Sequence, residues 1–314
     1  MRAFVSGGAG FIGSHLVDRL IADANDVTVY DNLSSGKKQF ISQHFNNPRF
    51  KFLIGDLLNP ELLRKSMEGH DVVFQLAANP QAIEGVSKTR LDLEQNTIAT
   101  YNVLESMRIN SIRKVVFTSS GTVYGNTPFI PIREDYGPML PISLYGASKL
   151  ACEGLVSAFS DLFSIQGWIF RFGNIVGPRA THGVIFDLIN KLKENSATLQ
   201  VLGDGNQTKP YVYIDDCIDG LLFGFKAAKD KINVFNLAVS TVTSVREIVR
   251  ILLEKTGHKE TNVRYTQGEK GWPGDVPRVR LSTSKLEELG WKAKYTSHEA
   301  VAKTVDNLIH ELWS

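Results

Sequence analysis

The chain has 314 residues, of which 43% are hydrophobic and 22% charged, and its formal net charge is +2. This composition is that of a globular protein, and the scattered Lys and Arg residues give no reason to expect nucleic acid or a membrane as a partner. Glycines interrupt the apolar run near the amino terminus, so we expect neither a signal peptide nor a membrane span. Cys152 and Cys217 lack metal-ligand spacing and are interpreted as reduced, buried thiols of a cytoplasmic protein.

The first half of the chain alternates short β-rich runs with amphipathic runs. Helices are predicted at 14–23 and 96–109, and strands at 2–7, 26–31, 50–56, 71–78 and 114–120. Because strand-helix alternation produces parallel sheets with both faces covered, the pattern predicts a doubly wound α/β sheet with right-handed crossovers.

A glycine-rich turn joins the first strand to the first helix. Gly7, Gly10 and Gly13 allow a tight bend and a close approach of backbone N–H groups to a pyrophosphate at the helix N-terminus. Asp31 ends the second strand 18 residues after Gly13, where a carboxylate binds the ribose hydroxyls and repels a 2′-phosphate. Asp56 ends the third strand and is placed to reach an adenine. The alternatives are a glycine turn that binds no ligand and carboxylates that only cap a turn or a helix. Taken together, the strands, the glycine turn and the acids predict a dinucleotide site, and Asp31 favours NAD over NADP.

Tyr145 and Lys149 lie four residues apart in a predicted helix, so they share one face. The unperturbed pKa of Tyr is near 10, and a neighbouring ammonium together with an oxidised nicotinamide lowers it. Ser119, Ser120 and Thr122 follow the fifth strand at the sheet edge where ligands bind. The Ser120 hydroxyl is placed to hold the substrate oxygen that Tyr145 deprotonates. The alternative is a set of polar loop residues beside an ordinary helical pair.

Several motifs occur in the order and spacing of one family: "GGAGFIGSHL", "DNLSSG", "QLAA", "TSSGTVYG", "YGASK", "RFGNIVGP", "VLGDGNQTKPYVYIDD" and "GWPGDV". Along almost its whole length the sequence resembles the extended short-chain dehydrogenase/reductases, specifically the UDP-glucose 4-epimerase-like nucleotide-sugar enzymes. The resemblance implies a Rossmann-type doubly wound sheet at residues 1–170, completed by parts of 208–240. It also implies a smaller C-terminal α/β domain, mainly at 171–314, that binds the nucleotide sugar.

The same resemblance implies residue roles. Lys149 also binds the nicotinamide ribose, Ser119 adjoins the cofactor, and Pro80 stands where the family often has a cofactor-binding Lys. The remaining implied NAD contacts are Phe11, Ile12, Asp31, Asn32, Ser35 and Gly36 for adenosine and pyrophosphate, Asp56 and Leu57 for adenine, Leu76, Ala77 and Ala78 for the middle of the cofactor, and Asn96 as a support through backbone or water contacts.

The implied substrate site uses residues from both halves: Ser120, Thr122, Tyr145, Asn174, Val184, Lys209 and Trp272. Residues 200–216 are expected to lay a short strand along the uracil and then to return to the main sheet. Asn174 alone is equally a turn cap. Asp215 and Asp216 resemble a metal site, but they lack further ligands, so we expect no metal and assign one of them as a helix cap.

Two positions depart from the family pattern. Lys209 and Trp272 stand where many members have diphosphate-binding Arg residues. Lys offers phosphate a point charge rather than a two-pronged contact, and Trp offers only stacking. Compensating cations are sought among Arg179, Lys191, Lys270 and Arg278.

The expected reaction begins when the Tyr145 phenolate removes the 4-OH proton and C4 gives its hydride to NAD, after which the 4-keto sugar rotates and is reduced again. The resemblance thus implies interconversion of UDP-glucose and UDP-galactose. Alternatives are UDP-N-acetylhexosamine or UDP-glucuronate 4-epimerases, a UDP-glucuronate decarboxylase and a non-catalytic NAD sensor; "TSSGTVYG" lacks the acid of a 4,6-dehydratase.

Two segments carry spare apolar positions, 91–109 and 143–163. They predict a homodimer through a four-helix bundle, with packing on the sheet as the alternative. Amphipathic helices are predicted at 245–257 and 297–313, on the surface of the smaller lobe.

Overall fold

The structure, a computed structural model, describes residues 1–128 and 130–313. The strands are β1 Arg2–Ser6, β2 Asp26–Asp31, β3 Phe50–Ile54, β4 Val72–Gln75, β5 Lys114–Ser120, β6 Gln166–Phe172, β7 Asn174–Val176, β8 Thr198–Val201, β9 Thr208–Lys209, β10 Tyr211–Tyr213, β11 Ile232–Leu237, β12 Thr243–Ser244 and β13 Asn262–Tyr265. The α-helices are α1 Phe11–Ala22, α2 Pro60–Ser66, α3 Ala99–Ile109, α4 Leu144–Phe163, α5 Val184–Glu194, α6 Ile214–Ala227, α7 Val245–Thr256, α8 Ser284–Glu288 and α9 Ser297–Trp313.

The central sheet has seven parallel strands in the order β3-β2-β1-β4-β5-β6-β11. Alternate residues of β1 show that both of its faces are covered: Ala3 and Val5 pack with Leu16 of α1, whereas Phe4 packs with Val103 of α3. Because successive strand residues point to opposite faces, helices on both sides are needed to bury them. The predicted Rossmann-type fold is confirmed.

The chain direction across the sheet reverses between β1 and β4. Strands after β1 add on one side, through β2 to β3, and strands after β4 add on the other. In open α/β sheets such a switch point opens a crevice at the carboxyl ends of the strands. The glycine turn after β1 therefore faces the segment that follows β4.

The predicted return of residues 200–216 to the main sheet is wrong. The place beside β6 is taken by β11, and Tyr211–Tyr213 instead pairs in parallel with Asn174–Val176. The exchange of partners occurs at Gly173, whose N–H bonds to Leu237, while the next N–H bonds to Pro210. A side chain at Gly173 would lie 2.9 Å from the Pro210 carbonyl oxygen, so glycine permits this crossing.

Two helix predictions are also corrected. The N-cap of α6 is Tyr213, and the Asp216 carboxylate instead accepts from the N–H groups of Lys294 and Tyr295, so neither Asp215 nor Asp216 caps the helix. The helix predicted at 96–109 begins as a π-helical turn over Leu93–Ile98 before α3 continues it. That wider turn places Asn96 in the interior.

The predicted C-terminal helices are confirmed as α7 and α9. The apolar face of α9 is buried through Ala300, Val301, Val305 and Leu308. Both cysteines are free, buried thiols. Within residues 1–128 and 130–313, no helix is long and apolar enough to cross a bilayer, and no group of three metal-ligating side chains occurs.

Candidate active site

A cavity of about 440 Å³ opens at the carboxyl ends of the central strands. It brings together most of the predicted site residues: Gly7, Gly10, Phe11, Ile12, Gly13, Asp31, Asn32, Ser35, Asp56, Leu57, Leu76, Ala77, Ala78, Ser119, Ser120, Thr122, Tyr145, Lys149, Asn174, Lys209 and Trp272. Of the predicted residues, Gly36, Asn96 and Val184 are not part of its lining.

The glycine turn is shaped for a group that binds backbone N–H. Gly7 has φ +70°, and a Cβ there would lie 2.6 Å from the Ala77 nitrogen. A Cβ on Gly13 would lie 2.1 Å from the Gly7 carbonyl oxygen. Gly10 caps α1 without a side-chain hydrogen bond, so the first-turn N–H groups face the cavity at the positive end of the helix dipole. These features fit a pyrophosphate.

The two predicted acids lie at one end of the same cavity. Asp31 accepts from the N–H groups of Ala9 at 3.0 Å and Leu33 at 2.8 Å, and burial raises the pKa of its carboxyl group. Asp56 accepts at 2.9 Å from the Asn32 amide. Although Gly36 is outside the lining, a Cβ there would lie 2.9 Å from Asp31 Oδ1, so only glycine leaves that carboxylate accessible.

The tyrosine, lysine and serine predicted as catalytic meet at the other end of the cavity. Ser143 caps α4 by accepting from a backbone N–H, which starts the helix beside the end of β5. Lys149 Nζ donates to the Thr118 carbonyl oxygen at 2.8 Å and lies 5.8 Å from the Tyr145 ring centre. The Ser120 hydroxyl accepts from Thr122 Oγ1 at 3.0 Å and lies near enough to the Tyr145 phenol to lower its pKa.

The pKa of Tyr145 departs from the expectation. The residue is partly exposed to the cavity, yet its phenol lies deep enough that burial raises the pKa to about 12, with the Ser120 hydrogen bond acting in the opposite direction. Burial also lowers the pKa of Lys149 to about 8. In the chain by itself Lys149 therefore does not bring the phenol into the neutral range. A further positive charge, such as that of an oxidised nicotinamide, is required.

Two predicted residues, Asn96 and Val184, lie beside the cavity without lining it. The Asn96 side chain accepts from the Asn79 N–H at 2.8 Å and donates to Ser148 at 2.8 Å, which places it behind the cavity. Val184 starts α5 just beyond the lining residues His182 and Gly183. These contacts support the site from outside rather than lining it.

The Ser119 hydroxyl, although part of a lining residue, is directed away from the cavity. It donates to Glu153 Oε1 at 2.5 Å, and the Ser119 residue is 3% exposed. A cofactor would therefore meet the backbone of Ser119 and not its hydroxyl group.

The substrate side contains an ion pair that the sequence did not reveal. Lys209 Nζ donates to Asp275 Oδ1 at 2.7 Å and to the Val276 carbonyl oxygen at 2.5 Å. Among the described lining residues, the Lys and Arg side chains are Lys149 and Lys209. The four compensating cations sought above are outside the lining, and Arg179 is bonded to Asp18.

Further lining residues were missed from the sequence: Tyr30, Asn79, Gln95, Phe172, His182 and Asp275. Two of them had a usable signal. His182 precedes α5 in "THGVI", and Asp275 follows Trp272 at the end of "GWPGD".

Comparisons with known proteins agree with this geometry. The chain is 34% identical over 308 residues to the putative UDP-glucose 4-epimerase of Methanocaldococcus jannaschii, with 96% of each chain covered. A crystal structure of a UDP-galactose 4-epimerase superposes with a TM-score of 0.90, 38% identity and full coverage of both chains.

A solved structure that contains another nucleotide sugar has a similar TM-score. The UDP-glucuronic acid 4-epimerase of Bacillus cereus, in complex with UDP-glucuronic acid and NAD, has a TM-score of 0.90 and 28% identity, with 99% of this chain and 100% of that chain covered. The model of the NAD dependent epimerase/dehydratase family matches residues 3–238. The glycine turn, Asp31 and the Tyr145–Lys149 pair fit this match, and the chain belongs to the NAD dependent epimerase/dehydratase family, with NAD as its cofactor.

Proposed function

We propose that this enzyme interconverts UDP-glucose and UDP-galactose by transient oxidation at C4. The observation that carries the proposal is the meeting of Ser120, Tyr145 and Lys149 at the end of the cavity opposite Asp31. An acid-base phenol beside a dinucleotide site suits removal of a hydroxyl proton coupled to hydride transfer. The 4-epimerase relatives add support for this reaction.

In the proposed mechanism each residue acts at a defined atom. Tyr145 as phenolate takes the proton from the 4-OH of the sugar and later returns it to the same oxygen. Ser120 donates its hydroxyl hydrogen to that oxygen, and Lys149 stabilises the phenolate and binds the nicotinamide ribose. NAD, when bound, would supply the hydride acceptor for C4 and, in its reduced form, the hydride donor for the other face of the keto sugar. The sugar must turn between the two transfers, so the protein has to hold the nucleotide more firmly than the sugar.

The proposed cofactor contacts follow from the cavity. Asp31 binds the adenosine ribose, the first turn of α1 binds the pyrophosphate, and Asp56 flanks the adenine. Residues 1–170 supply these contacts. Asn174, the start of α5 at Val184, Lys209 and Trp272 would hold the nucleotide sugar, mainly from residues 171–314.

The charges of the lining favour a neutral sugar. In the part of the cavity that the structure describes, Lys209 is already neutralised by Asp275, and Lys149 bonds to Thr118. A uronic acid would bring a carboxylate that needs a cation or several N–H donors. We therefore place glucose and galactose ahead of glucuronate as the sugar.

The proposed assembly is a homodimer through α3 and α4. Tyr101, Ile109 and Leu162 are 45%, 46% and 71% exposed on these helices. A second copy would cover this apolar surface as a four-helix bundle. We expect light scattering to give twice the chain mass, and Tyr101→Glu with Leu162→Glu to give a monomer that still binds NAD; a wild-type monomer would contradict the assembly.

The activity is tested with purified protein and UDP-galactose, without added cofactor. We expect NMR to show UDP-glucose, because an epimerase recycles its own NAD. UDP-glucuronate and UDP-N-acetylgalactosamine are assayed in parallel at equal concentration. Conversion of either one in preference to UDP-galactose would contradict the proposed sugar, and no conversion of any, even with NAD supplied, would contradict the reaction.

A further inference from the structure

A buried ion pair lies directly behind the candidate active site. Arg171 at the end of β6 donates from Nη2 to Glu153 Oε2 at 2.7 Å and from Nε to Oε1 at 3.0 Å. The side chains are 5% and 7% exposed. A buried ion pair of this kind adds little stability over a well-packed apolar pair. Stability alone therefore does not explain why Arg171 and Glu153 are paired here.

The pair contacts the site through two neighbouring elements. Glu153 Oε1 accepts the hydroxyl of Ser119, which precedes Ser120 at the end of β5. On α4, Glu153 follows Lys149 by four residues and Tyr145 by eight, so the three side chains share one helix face. The carboxylate thus joins the strand that carries the serine to the helix that carries the tyrosine and lysine.

Arg171 is itself held from the opposite side. Its Nη1 donates to the Tyr124 hydroxyl at 2.8 Å and to the Glu134 carbonyl oxygen at 3.0 Å. The Tyr124 hydroxyl donates to Asn236 Oδ1 at 2.7 Å, and the Asn236 N–H donates to Glu134 Oε1 at 2.8 Å. Since every contact comes from a different element, the guanidinium has one well-defined position.

Several titratable groups surround the Lys149 ammonium and the Tyr145 phenol. Asp92, Cys152 and Glu153 face the Lys149 ammonium, and Asp92, Ser120 and Cys152 face the Tyr145 phenol. Asp92 is held by the amides of Asn79 and Asn96 rather than by a cation.

Glu153 differs from Asp92 because it forms a direct ion pair with a guanidinium, that of Arg171. The groups that face Glu153 are Arg171, Lys149, the Cys152 thiol, Ser119 and the Tyr124 hydroxyl, and Glu134 adds a charge beyond Tyr124. Without Arg171, the Lys149 ammonium would be the nearest cation to Glu153 and would be drawn toward it.

We propose that Arg171 and Glu153 are positioning residues of this active site. The pair fixes the end of β5 against α4, and Arg171 neutralises Glu153 so that the Lys149 ammonium acts on Tyr145 rather than on Glu153. The inference rests on the proposed acid-base role of Tyr145. It assigns a task to two side chains that do not line the cavity.

The test measures the protonation of Tyr145 in four variants of the NAD-bound protein: Arg171→Met, Glu153→Gln, the double variant and Arg171→Lys. Phenolate absorbance is titrated in each variant and in the same variant carrying Tyr145→Phe, and the difference isolates this tyrosine. The titration needs no substrate. The pH profile of kcat with UDP-galactose is recorded beside it.

We expect opposite shifts from the two single substitutions. Arg171→Met leaves Glu153 unopposed beside the Lys149 ammonium, so the ammonium stabilises the phenolate less and the midpoint moves up by about one pH unit. Glu153→Gln removes that competing carboxylate and moves the midpoint down by a similar amount. The double variant returns close to the wild-type midpoint. Arg171→Lys keeps the charge and the midpoint, but lowers kcat severalfold because the two-pronged contact is lost.

Equal midpoints in all folded variants would overturn the inference. If Arg171→Met does not fold, Glu153→Gln decides, because Gln has nearly the same shape as Glu; a midpoint that does not fall contradicts the proposal. If UDP-galactose is not converted but the midpoints shift as expected, the positioning role stands and the proposed sugar reaction fails. If UDP-galactose is converted but the titration midpoints of Tyr145 do not shift, the proposed sugar reaction stands and the positioning role fails.

Discussion

The two halves of the cavity recognise their ligands by different means. The cofactor half is built largely from backbone, with the glycine turn and the first turn of α1, to which two acids, Asp31 and Asp56, are added. The substrate half is built from side chains on separate loops, and its cation, Lys209, is already paired with Asp275. Backbone recognition is formed as soon as the sheet is formed, whereas side-chain recognition depends on partners distant in sequence. Changes in the two halves should therefore affect different measurements.

The largest expected effect lies where the two halves meet. Tyr145→Phe removes the acid-base group, so kcat should fall at least a hundredfold, by about the amount a general acid-base contributes. NAD content and the thermal midpoint should stay near those of the wild type. Tyr101→Phe, on the surface of α3, is the matched control and should keep full activity. A Tyr145→Phe enzyme with more than about a tenth of the activity contradicts the mechanism.

The cofactor half is tested at Gly13. Gly13→Ala places a Cβ 2.1 Å from the Gly7 carbonyl oxygen and must deform the turn. NAD content after purification should fall sharply, together with activity. Gly154→Ala is the control, because a Cβ there meets nothing within 4 Å. Normal NAD content in Gly13→Ala would contradict the conclusion that the backbone shape of the glycine turn binds the cofactor.

The burial of Lys149 can be tested by the pH dependence of the free energy of unfolding, measured on protein from which NAD has been removed. Burial lowers its pKa from 10.5 to about 8, so above pH 8 the folded chain releases the proton that the unfolded chain still holds. The stability of the wild type relative to Lys149→Met should therefore rise with pH, by about 3 kcal/mol in total between pH 8 and 10.5. Urea unfolding across that range checks it, and a constant difference contradicts the buried ammonium.

The smallest effect is expected on the substrate side. Lys209→Met removes the cation of this half, so KM for the UDP-sugar should rise about tenfold, as loss of one charge-assisted hydrogen bond implies. NAD content should not change. Lys270→Met, outside the lining, is the control. A loss of NAD instead of a rise in KM would show that the two halves are not separable.

The parts of the molecule that the sequence predicted correctly are those specified by neighbouring residues. The first five strands of the main sheet, the glycine turn and the Tyr145–Lys149 pair follow from periodicity and from spacings within one turn of a helix. The start of α1 at Phe11 could not be placed as well, because the glycine turn leads directly into the helix without a side-chain cap.

The parts that were missed depend on distant partners. Lys209 and Asp275 are 66 residues apart, and Asp216 bonds to N–H groups 78 and 79 residues away. No local pattern predicts such contacts. The pairing of β10 with β7 was missed for the same kind of reason, because β11 competes for the same edge of β6.

The single residue between β6 and β7 has a mechanical consequence. Phe172, next to Arg171, ends β6, Gly173 follows, and Asn174 of the proposed substrate site begins β7. This one-residue connection thus joins the end of the cavity that holds Tyr145 to the proposed nucleotide-sugar end. If the two lobes moved apart, the bend in the chain would have to occur outside this connection. In the proposed epimerisation we therefore expect this frame to stay fixed while the sugar turns.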